Sequence, residues 1–121
     1  MIDVLPGFPN AVVAFAGHGR VTRADYRTVL EPVVEAALRQ QRKLRVYYEV
    51  GADFAGMDAG AVWEDFRVGI GHIARWERIA VVADNAWIRR TARIVGAVMP
   101  ADLRVFSTSE RASARDWISA P

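Results

Sequence analysis

Three short apolar runs, at 11–16, 44–50 and 77–83, set the limits on what this chain can fold into. Ala11-Val12-Val13-Ala14-Phe15-Ala16 is almost continuously apolar, which predicts a central strand covered on both faces. Leu44–Val50 and Glu77–Ala83 also read as buried strands. The stretches between them carry apolar residues at helical spacing. Buried strands alternating with amphipathic helices bury their apolar faces only as a sheet with helices packed on it. Met1–Leu5, before Pro6-Gly7-Phe8-Pro9-Asn10, and Leu103–Phe106 read as two further strands. The short Pro/Gly segment predicts antiparallel pairing of the first two strands, and the later βαβ units should be parallel with right-handed crossovers. The expected order is β, β, α, β, α, β, α, β, α. This describes one α/β domain over residues 1–121, with a mixed, mostly parallel sheet of about five strands and about four helices.

The helix boundaries are written in local chemistry. Thr22 is an N-cap with Asp25 at the capping-box position, and Tyr26, Val29, Leu30, Val33, Val34, Ala37 and Leu38 follow at helical spacing. Pro32 falls on the polar side, so a helix that bends there and continues is expected. A second helix is expected from Asp58 to Arg75, burying Val62, Phe66, Gly69, Ile70 and Ile73. A third should run from Ala86 to Met99, capped by Asp84 or Asn85, with Ile88, Ala92, Val95 and Met99 buried and Arg89, Arg90 and Arg93 on the far arc. Ser107 with Glu110 forms a capping box for a last helix that ends near Trp117-Ile118.

Composition narrows the chemistry. At 121 residues and 52% hydrophobic content the chain can bury a real core. The absence of cysteine excludes disulfides, thiolate catalysis and Cys-ligated zinc. The formal charge is +2, and the cations are fifteen arginines and Lys43. The densest basic group, Arg89, Arg90 and Arg93, is short, so no nucleic-acid partner is expected. The N-terminal residues do not resemble a signal peptide, and no run approaches the roughly eighteen apolar residues of a membrane span. A soluble, cytoplasmic protein without stable membrane insertion is expected.

The strings Gly19-Arg20-Val21-Thr22-Arg23-Ala24-Asp25-Tyr26, Arg78-Ile79-Ala80-Val81-Val82-Ala83-Asp84 with Trp87, and Val105-Phe106 followed by Ala114 and Trp117-Ile118 resemble the SpoIIAA-like family of small bacterial proteins. The fold of that family is similar to STAS domains and to the lipid-binding CRAL-TRIO (Sec14-like) domain. The resemblance spans essentially the whole chain. It implies either a protein-binding switch, controlled in STAS antagonists by phosphorylation of a Ser or Thr at the start of the second helix, or a pocket for an apolar ligand. The comparable segment here, Gly56-Met57-Asp58-Ala59-Gly60, has no hydroxyl. Asp58 there is either a fixed negative charge in place of a phosphoserine or a plain N-cap.

Candidate functional residues follow from position. The junction from Gly51 to Asp58 contains no Ser, Thr, Cys, His or Lys, and so no nucleophile. Phe54 and Met57 lie in a loop where no core stripe requires them, and Trp87 opens a helix directly after a strand. With Trp63 they could line an apolar groove at the C-terminal edge of the sheet. Trp76 and Trp117 read as core or helix-docking residues. His18, between two glycines, could face Asp84 across a switch-point crevice and do acid–base work, or be a loop histidine beside a capping aspartate. His72 and Asp65 lie roughly 10 Å apart along one helix and cannot share a metal unaided, so neither a metal nor a cofactor is expected. The reading is a non-enzymatic regulatory or interaction module without the phosphoserine switch, contacting a protein partner or a second copy through Phe54–Asp58 and Trp63. The alternative is a carrier of a small apolar or lipid-like ligand held by Phe54, Met57 and Trp87, with His18 or Asp84 fixing a polar end.

Overall fold

Five strands form the main sheet in the computed structural model, which describes residues 1–57 and 73–121. They are β1 (Ile2–Val4), β2 (Val12–Gly17), β4 (Leu44–Val50), β6 (Trp76–Val82) and β7 (Asp102–Phe106), lying in the order β1-β2-β4-β6-β7. β1 pairs antiparallel with β2, and every later pair is parallel. All six residues of β2 are buried, as an apolar run in the sheet interior requires. Two further strands, β3 (Arg20–Val21) and β5 (Gly56–Met57), pair parallel to each other beside the sheet. The sequence gives no sign of this pair, because two residues carry no periodicity.

The first helical segment, α1, covers residues 23–38, and its capping box forms as expected. The Asp25 N–H donates to Thr22 Oγ1 at 3.2 Å, and the Thr22 N–H donates to Asp25 Oδ2 at 2.8 Å. Pro32 does not end the helix. The turn before it, Tyr26–Leu30, is π-helical, and regular α geometry resumes over Glu31–Leu38. A proline lacks the N–H and crowds the carbonyl four residues back, and a widened turn at that point relieves both problems. Helix α2 covers Ala86–Val98 and α3 covers Arg111–Ser119, so three helices stand among the described residues. The expected helix from Asp58 lies outside them, except for a final 3₁₀ turn at Ile73–Arg75.

The strand order never reverses. With right-handed crossovers, stepping always in one direction keeps the crossover helices on one face of the sheet. Val13, Phe15 and Leu44 accordingly pack with Val21, Tyr26, Leu30 and Val34 on the α1 side. On the opposite face Val12, Ala14, Tyr47, Ala80 and Val82 pack against Ala114 and Ile118 of α3. Two arginines from the sheet fasten the C-terminal end of α3. Arg45 Nη1 donates to the carbonyls of Ile118 and Ala120, and Arg78 Nη1 donates to those of Trp117 at 3.0 Å and Ala120 at 2.8 Å. Cations at a helix C-terminus satisfy its open carbonyls and its dipole together. Trp76 lies in the core, and Trp117 docks on Phe106 under the Arg104 guanidinium, 4.6 Å from its ring.

Candidate functional site: the C-terminal sheet edge and the outer face of α2

The loops that leave β2, β4, β6 and β7 hold most of the candidate residues, and the fold distributes these rather than collecting them. A sheet whose order never reverses has no switch-point crevice. His18 and Asp84, expected to face one another, have different partners. His18 follows β2, where its Nδ1 lies 3.1 Å from Asp53 Oδ1 and its Nε2 lies 3.2 Å from Asp3 Oδ2. A neutral imidazole has one N–H and satisfies one carboxylate at a time, whereas an imidazolium donates to both. The carboxylates sit on opposite ring nitrogens, so the three groups cannot share a cation. Gly51 makes the arrangement sterically feasible: a Cβ there would stand 2.8 Å from Asp53 Oδ1 and 3.2 Å from the Gly17 carbonyl.

Asp84 turns to the other side. Its carboxylate accepts from the Thr108 hydroxyl at 2.6 Å and from the Thr108 N–H at 3.0 Å, and these bonds hold it below the usual carboxylate range. It therefore fastens the start of the last helical segment, while Asn85 caps α2 by accepting from the N–H groups of Trp87 and Ile88. Glu110 completes the Ser107 capping box, and the Ser107 N–H and hydroxyl lower its pKa in the same way. Beneath these loops the fully buried Tyr47 hydroxyl donates to Glu49 Oε1 at 2.8 Å, and Arg111 Nε donates to the same oxygen at 2.8 Å. Burial first, and the Glu49 carboxylate second, push the Tyr47 phenol far above its usual range. The hydroxyls of Thr108 and Ser107 meet the carboxylates of Asp84 and Glu110 as helix-fastening contacts, and among the described residues no group of three His, Asp or Glu is arranged to hold a metal. His72 and Asp65 lie outside those residues.

The aromatic set divides as well. Phe54 is half-buried and packs against the α1-side core, where it serves as a loop anchor. Met57, expected in a loop, belongs to strand β5; its side chain, residues Asp58 and Trp63, and the rest of the hydroxyl-free segment at 58–60 lie outside the described residues. Trp87 stands in solvent, 56% exposed, and is not alone. Ile94, Val95 and Val98 on the same helix are exposed too. Val95 is a correction, since the periodicity placed it in the core. The helix meets β7 at Gly96, whose Cβ position would lie 3.1 Å from that of Leu103, and Ile88, Ala92 and Met99 are half-buried beside this contact. Trp87, Ile94 and Val98 recur at seven- and four-residue steps, forming a second apolar stripe more than about a third of a turn from the sheet-facing one. Arg90 and Arg93 are exposed beside it, while Arg89 folds back to donate to the Ala83 carbonyl at 2.8 Å. Sequence reasoning isolated Trp87 but missed Ile94 and Val98. The available signal was a helix with more apolar circumference than one sheet contact uses.

A cavity of about 420 Å³ opens along the outer edge of β7, lined by Arg93, Gly96, Leu103, Arg104, Val105, Phe106 and Glu110. Of the residues weighed from the sequence, Arg93 of the basic group lines it, and His18, Phe54, Asp84 and Trp87 do not. Among the described residues no helix is long and apolar enough to cross a membrane.

Comparison with known proteins agrees with this architecture. A family model described as SpoIIAA-like matches residues 12–119. The crystal structure of an uncharacterised protein of the DUF3478 family with a SpoIIAA-like fold, from Shewanella loihica PV-4, superposes with a TM-score of 0.75 at 21% identity. The alignment covers 98% of this chain and 92% of that one. At that identity the likeness is one of fold. No curated protein matches the sequence.

Proposed function

Because the chain belongs to the SpoIIAA-like family, we propose that it is a non-enzymatic regulatory or interaction module whose contact surface is the outer face of α2. The observation that carries this reading is the exposed stripe of Trp87, Ile94 and Val98. Scattered single apolar residues are ordinary on a surface, but a tryptophan aligned with two aliphatic side chains along one helix marks an interaction site. The polar groups of the sheet edge support the non-enzymatic part. His18, Asp84 and Glu110 each already serve a structural partner, and the Thr108 and Ser107 hydroxyls that reach the last two are taken up in fastening the last helical segment. A phosphoserine switch at the second helix has no hydroxyl on which to act between Gly56 and Gly60.

The competing reading, a carrier of an apolar ligand, requires an enclosed volume walled by the aromatic residues. Phe54 is spent on the core and Trp87 faces outward, so these two do not share a wall. A photo-crosslinking amino acid at position 94, compared with one at the exposed Ala36 of α1 in the native cell, separates the readings. A discrete protein adduct from position 94 alone is expected. A lipid-sized adduct there, or indistinguishable adducts from both positions, counts against the proposal.

A further inference from the structure

β7 is an edge strand, and its outer side is unlike that of the opposite edge. The Phe106 carbonyl accepts from the Ala83 N–H at 2.9 Å, and Phe106 is in register with Val82. In a parallel ladder the N–H and C=O of one residue point the same way, and the direction alternates along the strand. Asp102, Arg104 and Phe106 therefore direct their backbone groups to β6. Leu103 and Val105 direct theirs outward, into the 420 Å³ cavity. The other edge is blunted: β1 has three residues and Pro6 follows shortly after. β7 has five residues, no proline, and a groove already open beside it. An edge with free N–H and C=O groups in a groove is a template for another strand.

The walls state what kind of strand fits. Arg93 above the edge and Arg104 below it are exposed cations, Arg104 with Asp102 3.7 Å from its Nη2, and Arg90 lies close to Arg93 on α2. The carboxylate lining the groove, Glu110, already accepts two hydrogen bonds from Ser107. Pairing β7 with β7 of a second copy would bring Arg93 and Arg104 toward their own counterparts, and such like-charge juxtaposition is costly. An acidic chain brings no clash between arginines; the carboxylates it meets are Glu110, held by Ser107, and Asp102, already paired with Arg104.

We propose that the β7 groove binds an extended acidic peptide segment of a partner protein, which adds to the sheet as a further strand. The Leu103 and Val105 N–H groups donate to its carbonyls, the carbonyls of the same two residues accept its N–H groups, and its carboxylates fall on Arg93 and Arg104. This site is separate from the apolar stripe of α2, because Trp87, Ile94 and Val98 do not line it.

The test uses the ¹⁵N-labelled full chain and three short peptides: one alternating Glu and Val, one with Arg in place of Glu, and one of the same acidic charge with a central Pro. Saturable shifts and slowed hydrogen exchange at the Leu103 and Val105 amides are expected with the first peptide alone. Arg93→Glu should weaken that binding by about tenfold or more, with an unchanged melting temperature. Ile94→Ser with Val98→Ser should leave it intact, so failure here and failure of the α2 reading are told apart. Three results each overturn the proposal: no response at these two amides at millimolar peptide, equal binding of the Pro-containing peptide, or protection that rises with protein concentration in peptide-free samples. The last would show a second copy on the edge.

Discussion

Replacing Ile94 and Val98 together by serine measures whether the α2 stripe is free surface or hidden core. Ile94 is 63% exposed and Val98 78%, so about a third of the first side chain and about a fifth of the second are covered. Full burial of such a side chain stabilises by about 1.5–3 kcal/mol, so the covered fractions contribute together about 0.9–1.8 kcal/mol. That figure is an upper bound, because the unfolded chain already hides part of its apolar surface. Serine has nearly the helix propensity of isoleucine and valine, so backbone preference adds little. Ile118, fully buried on the α3 side, is the internal control, and Ile118→Ala should cost about 2–5 kcal/mol. Urea unfolding of the purified protein, followed by far-UV circular dichroism, gives both values. The double variant should lose about 2 kcal/mol or less, with an unchanged denaturant slope. A loss of about 3 kcal/mol or more, comparable to a core truncation, would refute the reasoning by showing that the stripe is covered in the isolated protein.

Three further outcomes follow from the sheet edge. Asp84 is held below its usual pKa by Thr108, so its contribution is present above the unfolded carboxylate value and is lost as the pH falls through the folded one. Asp84→Asn should therefore lower the urea midpoint at pH 7, and the gap to the parent should close below about pH 4. The Tyr47 phenol is raised, so its contribution to stability is present below the ordinary tyrosine range and is lost as the pH rises through and beyond it; in an alkaline absorbance titration at least one of the three tyrosines should ionise only on unfolding. Gly51→Ala would press a methyl group on Asp53, His18 and the Gly17 carbonyl, costing about 1–3 kcal/mol. Its imidazole resonances should move away from those of the parent, and unchanged resonances would contradict the described His18–Asp53 contact.

Local chemistry was legible in the sequence. The capping boxes at Thr22–Asp25 and Ser107–Glu110 require no knowledge of the rest of the chain, and both are present. The apolar run at Leu44–Val50 is a strand over the residues expected. What escaped is non-local. The partners of His18 are 15 residues before it and 35 after it, and no pattern in the chain connects them. Its expected approach to Asp84 depended on a reversal of strand order that the sheet does not make. Val95 was misplaced for a related reason. A helical period shows that apolar residues share an arc, but where two apolar arcs exist it does not say which one meets the sheet. The close contact of Gly96 with Leu103 decides that, and it belongs to the packing alone.

The absence of cysteine makes the central claim directly measurable. Val98→Cys and Ala36→Cys each introduce a single thiol at an exposed helical position, one on the α2 stripe and one on α1. Maleimide labelling rates should be compared for purified protein and for the same variants at native abundance in fresh extract. If α2 is the interaction surface, Val98→Cys labels rapidly when pure and slowly in extract, while Ala36→Cys labels alike in both. Equal rates for Val98→Cys in the two settings would contradict the account, since a surface that no partner covers in the cell does not mediate interaction.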